Sequence, residues 1–365
     1  MRVVLLYVFL FTPLFTTGQF RKGPHKVVGA DFFRGAIYEH KEQVSHLVTD
    51  HPWGVRITFD QQTTGSEAWE TRYNYPGVGL TFIYLDYNNP VLGQSIALIP
   101  HYQFYIGKNR ASRSQFNYKI GLGLAYNTEK YDPEENNKNN VLSTDLSFGI
   151  LFQAGYQFAI TQRTYLVSSV AMTHFSNGSI KKPNSGINVF ALNLGMSYRL
   201  DSGPIEYLPN TDPPFRKPPV GFTVALSSGM HEAVRVGSGA DPFFVLSGLV
   251  DKQLNRKSIF GIGLEWFYSV SLKKIRKYDY WLEDGENPDF KRVGLVISHE
   301  LLLNRLSLIT QAGYYLYDPY SKFSTTYLRA GLRRYFGKKI FGSIAVKSHA
   351  ARAEAAEFAI GYRIK

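Results

Sequence analysis

The sequence predicts an all-β membrane protein: a transmembrane antiparallel up-and-down β-barrel, an N-terminal eight-stranded lobe followed by a second set of about eight strands. Three observations carry that reading. Apolar and polar residues alternate with a period of two along segment after segment, the mark of a strand with two unlike faces. The chain is rich in aromatics and glycine, with 25 Tyr, 26 Phe and 32 Gly in 365 residues, as barrels with aromatic girdles and tight turns are. Beyond the N-terminus, no stretch is long and apolar enough for a membrane helix.

The first residues read as an export signal, assigned to 1–18. Arg2 precedes the apolar run Val3–Phe11, Pro13 breaks it, and Thr16 and Gly18 sit at cleavage-like spacing before Gln19. Eight alternating runs follow, near 33–41, 52–62, 76–86, 94–106, 114–126, 144–160, 163–176 and 187–200. Three show the pattern plainly. Trp53, Val55, Ile57 and Phe59 alternate with Gly54, Arg56, Thr58 and Asp60. Phe116, Tyr118, Ile120, Leu122, Leu124 and Tyr126 alternate with Asn117, Lys119, Gly121, Gly123 and Ala125. Leu146, Phe148, Ile150, Phe152, Tyr156 and Phe158 alternate mainly with Ser, Gly and Gln. Strands of this length put the apolar set toward lipid and the small or polar set toward the lumen. An even strand number closes the barrel and leaves no free edge. Loops after odd strands then face outward, including 42–51, the polar 127–143 and 177–186. The connection at 160–163 is short, as an inner turn should be, whereas 63–75 is long for that side.

The first lobe is read as 19–200. Residues 201–218 hold five of the 17 prolines and read as a linker. A second set of runs occupies 219–365, near 219–230, 243–252, 257–272, 291–303, 305–317, 324–336, 339–349 and 356–365. Tyr198-Arg199-Leu200 and Tyr362-Arg363-Ile364 close the two sets alike, which suggests a duplication. Two tandem barrels and one barrel of about sixteen strands both satisfy this pattern; the linker favours two.

The absence of Cys excludes a disulfide framework, a thiolate metal site and a thiol nucleophile. The formal charge of +12 fits a solvated basic surface or attraction to anionic lipid headgroups. Neither an aromatic-basic RNA motif nor zinc-finger spacing is present, so nucleic acid is not expected as a partner.

The chemistry concentrates in Thr173-His174-Phe175-Ser176-Asn177-Gly178. His174 and Ser176 are two residues apart on a strand and share a face. A base beside a hydroxyl is the minimum for a serine nucleophile. That face also carries Leu166, Val170 and Met172, and on the next strand Phe190, Leu192, Leu194, Met196, Tyr198 and Leu200 continue it from Asn188. His174, Ser176 and Asn188 are therefore expected to meet on the lipid side near the outer rim, with Asn188 orienting the imidazole. A His and a Ser at a strand end are also common as plain interfacial polar residues. In the second set His349 falls where His174 would, but Ala351 takes the serine position, and Lys347 and His349 share a face with Ser343. A charged lumen with no chemistry is expected there.

His174-Phe175-Ser176-Asn177, then Pro183-Asn184-Ser185-Gly186-Ile187, resembles the signature of the lipid A 3-O-deacylases of the PagL type (acyloxyacyl hydrolases), over roughly residues 20–200. The resemblance implies an eight-stranded barrel in the bacterial outer membrane. It implies hydrolysis of an ester-linked acyl chain of lipid A, in the outer leaflet of lipopolysaccharide, by a Ser-His-Glu triad on the outer wall, with no metal or cofactor. Carried over, Ser176 is the nucleophile, His174 the base, and Asn184 the side chain that helps bind the oxyanion. The triad Glu falls on Asn188, a departure. An amide can set the ring tautomer but cannot stabilise an imidazolium by charge, and such a change can cost about 10⁴ in kcat where it selects the wrong tautomer. Lys181 and Lys182 in the same loop are candidate contacts for lipid A phosphates. Two other readings compete: a non-catalytic barrel (pore, adhesin or lipid-binding relative), and a secreted β-sandwich, which would have to hide an aromatic exterior.

Overall fold

The computed structural model describes residues 25–365, except 108, 233–235, 280, 281, 284, 285, 351 and 365. The proposed export signal lies outside the described residues. Sixteen strands form two closed antiparallel rings of eight, so the sixteen-stranded alternative is overturned. The first ring runs β1 (Lys26–Ile37), β2 (Trp53–Gln62), β3 (Gly77–Asp86), β4 (Gln94–Ile106), β5 (Ser114–Asn127), β6 (Leu146–Ala159), β7 (Thr164–Ser176) and β8 (Ile187–Arg199), with β8 closing onto β1. The second runs β9 (Gly221–His231), β10 (Asp241–Gln253), β11 (Ser258–Ser269), β12 (Arg292–Leu302), β13 (Leu306–Tyr317), β14 (Thr326–Phe336), β15 (Ile340–His349) and β16 (Arg352–Ile364), with β16 closing onto β9. Within each ring every pair of consecutive strands is antiparallel, so each is a meander without crossovers.

Most strands fall within a few residues of the predicted runs. β1 begins at Lys26 rather than 33, because Val27-Val28-Gly29-Ala30 does not alternate, yet it pairs with both β2 and β8. β16 begins at Arg352 rather than 356, through an Ala/Glu-rich stretch of low strand propensity. The predicted run 257–272 divides: its last residues form helix α2 (Val270–Ile275), capped by the Ser269 hydroxyl, which accepts from Leu272 N–H.

Two compact units result, one of residues up to 177 with 183–212, the other of 178–182 with 213–365. In the first, Trp53, Val55, Ile57 and Phe59 are exposed on the outer face, as are Phe116, Tyr118, Ile120 and Tyr126. The lumen departs from a uniformly polar interior. Phe33, Ile83, Ile99, Leu151, Phe175 and Val189 point inward and pack with Val44, Leu47, Leu92, Val141 and Leu142 from the loops after β1, β3 and β5. These loops close the outer half of the barrel with an apolar plug. The inner half is polar and holds a cavity of about 620 Å³, lined by Asp31, Asp60, Lys119, Arg110, Arg199 and Tyr207 among others. Asp60 is held there by His101 at 2.5 Å and Lys119 at 3.7 Å.

The long 63–76 connection has a physical reason. It contains helix α1 (Ala68–Arg72), whose Arg72 grips Asp212 through two hydrogen bonds of 2.5 and 2.7 Å. Leu208 N–H donates to Thr64 O at 2.8 Å, and the Tyr75 hydroxyl donates to Leu208 O at 2.7 Å. The excursion thus clasps the first part of the proline-rich segment against its own barrel.

The second unit is filled differently. Its lumen carries Arg329 between Glu265 (2.8 Å) and Glu357 (2.7 Å), Arg333 on Glu300 (2.7 Å), and Arg363 on Asp251. Glu354 collects Arg292, Lys347 and His349 at 2.7, 2.7 and 2.8 Å. His349 and Lys347 therefore face inward, as their alternation with Ile344 and Val346 predicts. Buried charges are tolerated chiefly when paired; each charge named here has a partner of opposite sign, although Arg292 Nη1 and Glu300 Oε1 are buried without a hydrogen bond.

Candidate functional site

The site is built by the β7–β8 hairpin. Phe175 is fully buried in the apolar plug, so its neighbours His174 and Ser176 point to the opposite, outer face. Register then sets the partners. His174 lies directly opposite Asn188 on β8 and opposite Ile150 on β6. Below it on the same face are Met172 opposite Phe190 and Val170 opposite Leu192. Phe190, Leu192, Leu194 and Met196 are exposed, so His174, Ser176 and Asn188, all half-buried, crown a continuous apolar wall.

The three side chains are within hydrogen-bond reach. His174 Nε2 is 3.0 Å from Ser176 Oγ, and His174 Nδ1 is 2.7 Å from Asn188 Oδ1. An amide oxygen only accepts, so the ring proton sits on Nδ1. Nε2 is then a bare acceptor aimed at the serine hydroxyl, the arrangement a general base requires.

Asn184 is anchored rather than loose. Its Oδ1 accepts from Asn177 N–H at 3.1 Å, which turns its Nδ2 donors away from that bond. Asn177 Nδ2 in turn donates to Ser143 Oγ at 3.0 Å, fixing the turn just after Ser176 to the β5–β6 loop. Several loop amides are occupied: Asn177 N–H by Asn184, Ser185 N–H by Asn140 O, and Gly186 N–H by Val141 O. These three N–H groups are therefore already engaged within the loops. Gly186 has φ +72°, and a Cβ there would lie 2.7 Å from His174 Cε1. Only glycine gives both the left-handed turn and the room for the ring.

Lys181 and Lys182 fall in the 178–182 segment, which groups with the second unit. Among the described residues no group of three or more His, Cys, Asp or Glu is placed to hold a metal.

One residue escaped the sequence reading. His40, in the loop after β1, lies with its Nδ1 3.2 Å from Asn188 Nδ2 and its Nε2 3.1 Å from Ser185 O. Tyr38 N–H donates to Asn188 O at 2.9 Å and the Tyr38 ring meets Phe190 edge-on at 5.6 Å, which brings that loop over β8. The predicted run 33–41 takes Tyr38-Glu39-His40-Lys41 into the first strand, whereas β1 ends at Ile37 and the segment is loop. Only the closure of β8 onto β1 makes it adjacent.

Comparison with known proteins gives two family matches. Residues 53–197 match the model described as lipid A 3-O-deacylase (PagL), and residues 211–365 match the acyloxyacyl hydrolase C-terminal domain. No curated protein matches at a significant level. Among solved structures, the outer membrane enzyme PagL is similar at 18% identity, covering 46% of this chain and 97% of that one, with a TM-score of 0.32. Neisserial surface protein A is similar at 13% identity, covering 48% of this chain and 97% of that one, with a TM-score of 0.34.

Proposed function

We propose, from the premise that the N-terminal half of this outer-membrane chain belongs to the lipid A 3-O-deacylase (PagL) family, that the first barrel is an esterase removing an ester-linked acyl chain from lipid A in the outer leaflet. The observation that most supports a serine-histidine mechanism is the line Ser176–His174–Asn188 at 3.0 and 2.7 Å on the outer wall. An acyl chain lying along Met172, Phe190 and Leu192 would bring its ester to the level of Ser176.

In the first half-reaction, Ser176 Oγ attacks the ester carbonyl carbon and its proton passes to His174 Nε2. Asn184 Nδ2 donates to the oxyanion that forms. Collapse breaks the carbon–oxygen bond to the sugar, and His174 returns the proton to the leaving alkoxide. In the second half-reaction a water loses its proton to His174, attacks the acyl-serine, and releases the fatty acid with Ser176 restored. Asn188 orients the imidazole throughout, without the charge a carboxylate would bring to the imidazolium.

The missing charge gives the competing reading, a lipid-binding barrel without turnover, its specific support. Incubating the purified protein with lipid A and following the lipid's mass separates the two. Loss of one hydroxyacyl chain by the native protein, absent in Ser176→Ala and His174→Ala, supports the esterase. An unchanged mass with every acylated lipid A offered removes it.

A further inference from the structure

An amide differs from a carboxylate in one respect that matters here: its two ends have opposite polarity. A carboxylate presents an acceptor to the imidazole whichever way it is turned. Asn188 does so only when Oδ1, and not Nδ2, faces His174. Turned over, it would donate to His174 Nδ1, place the ring proton on Nε2, and leave Ser176 facing a donor. Something must hold the amide the productive way round.

The hydrogen bonds beyond Asn188 do so, and their direction is set at the far end. Ser185 O is a carbonyl and can only accept, so His40 Nε2, 3.1 Å away, carries a proton. His40 Nδ1 also lies 3.4 Å from Tyr38 O, a longer contact than the 3.1 Å from Nε2 to Ser185 O; with the proton on Nε2 of the neutral ring, Nδ1 is bare. Asn188 Nδ2, which can only donate, is 3.2 Å from it. That leaves Oδ1 for His174 Nδ1 at 2.7 Å, and His174 Nε2 for the Ser176 hydroxyl at 3.0 Å. All four bonds run in one direction, from Ser176 to Ser185. The far end is itself pinned: Ser185 N–H and the adjoining Gly186 N–H donate to Asn140 O and Val141 O. The near side is pinned by Tyr38 N–H on Asn188 O.

We propose that His40 is a positioning residue that lets an amide occupy the acidic corner of the triad. It fixes the orientation of Asn188 and thereby selects the Nδ1–H tautomer of His174. This rests on the esterase reading for its effect on turnover, but its effect on the ring proton does not. His40 touches no reacting atom; it acts through Asn188.

The experiment combines turnover with the tautomer of His174, read by ¹⁵N NMR of histidine-labelled protein in micelles. Heat-modifiable gel mobility checks that each variant is folded. In the native protein His174 should be the Nδ1–H tautomer. In His40→Ala the amide is released, and kcat should fall about 10-fold or more with KM little changed, while Nε2–H signal appears. His40→Lys, which offers only donors, should invert the amide and cost up to about 10⁴ in kcat. His40→Gln, which keeps an acceptor, should recover much of the loss. The decisive variant is the double substitution His40→Ala/Asn188→Glu. A carboxylate needs no orienting, so it should restore turnover to within about threefold of Asn188→Glu alone, the pair being coupled in the native protein and uncoupled once Glu is present.

Full turnover and an unchanged tautomer in folded His40→Ala overturn the proposal. So does failure of Asn188→Glu to rescue His40→Ala while Asn188→Glu alone is active, because His40 would then act on something other than the amide. If the native protein and Asn188→Glu both leave lipid A intact, the esterase reading fails, and the tautomer of His174 in His40→Ala and His40→Lys still decides the role of His40.

Discussion

The two barrels share a topology and differ in what fills them. The first closes its outer half with an apolar plug and keeps a polar cavity of about 620 Å³ below it. The second is packed with an ion network around Glu265, Arg329, Glu357 and Glu354, beside which lie spaces of only about 10 and 20 Å³. The difference bears on where polar chemistry can face. In the first barrel Phe175 is drawn inward by the plug, and this turns His174 and Ser176 outward. In the second, Lys347 and His349 are drawn inward by Glu354, and the histidine is spent on a lumenal hydrogen bond to that carboxylate. A strand of alternating residues has one decision to make, and the interior makes it.

The largest expected effect breaks the comparison at its functional end. Ser176→Ala should lower deacylation by about 10⁶-fold, the order seen when a nucleophile acting as a unit with its base is removed, with gel mobility unchanged; a lipid A mass assay reads it. Second comes the other interior. Arg329→Ala strands two buried carboxylates and should destabilise the second barrel by about 3–5 kcal/mol, seen as a lower unfolding temperature in detergent; an unchanged temperature would mean that the network is not holding that lumen together. A third test sharpens the geometry of the first. Gly186→Ala places a methyl against His174 Cε1 in a left-handed turn, costing about 1–3 kcal/mol in strain. The displaced ring should lower kcat by about 10²-fold, so native kcat in the variant would show that the ring need not stay where it is. The smallest effect is at the clasp. Arg72→Ala removes a partly exposed pair with Asp212, worth about 1 kcal/mol, and should speed proteolytic nicking of the 201–212 segment without altering barrel mobility.

Much of this architecture was legible from the alternation alone. Where Trp53–Phe59 or Phe116–Tyr126 alternate, face, length and pairing all follow, and the opposition of His174 to Asn188 was readable from two neighbouring runs. Strand ends without alternation were not readable. Val27–Ala30 and Arg352–Ala356 are strands because their neighbours offer an edge, which is a tertiary cause. The apolar plug was hidden for a related reason: Val44, Leu47, Val141 and Leu142 lie in loops, where period two says nothing. His40 was the costliest omission. It reaches Asn188 across 148 residues of sequence, and only ring closure makes the two neighbours. The amide at 188, by contrast, stood out at once, because a neutral group at that corner poses a question that the surrounding loop then answers.

The placement of Ser176 above an exposed apolar wall, rather than inside a pocket, has a kinetic consequence. If Ser176 acts on a lipid as proposed, encounter would occur within the plane of the bilayer, so the quantity governing occupancy would be the surface density of the lipid and not its bulk molarity. In mixed micelles, diluting the substrate with inert detergent at constant total lipid should slow turnover, whereas adding more micelles of the same composition should not speed it. On the proposed esterase reading, the cleaved chain would be released against the same wall, would leave by lateral drift and should compete for the site in proportion to its mole fraction.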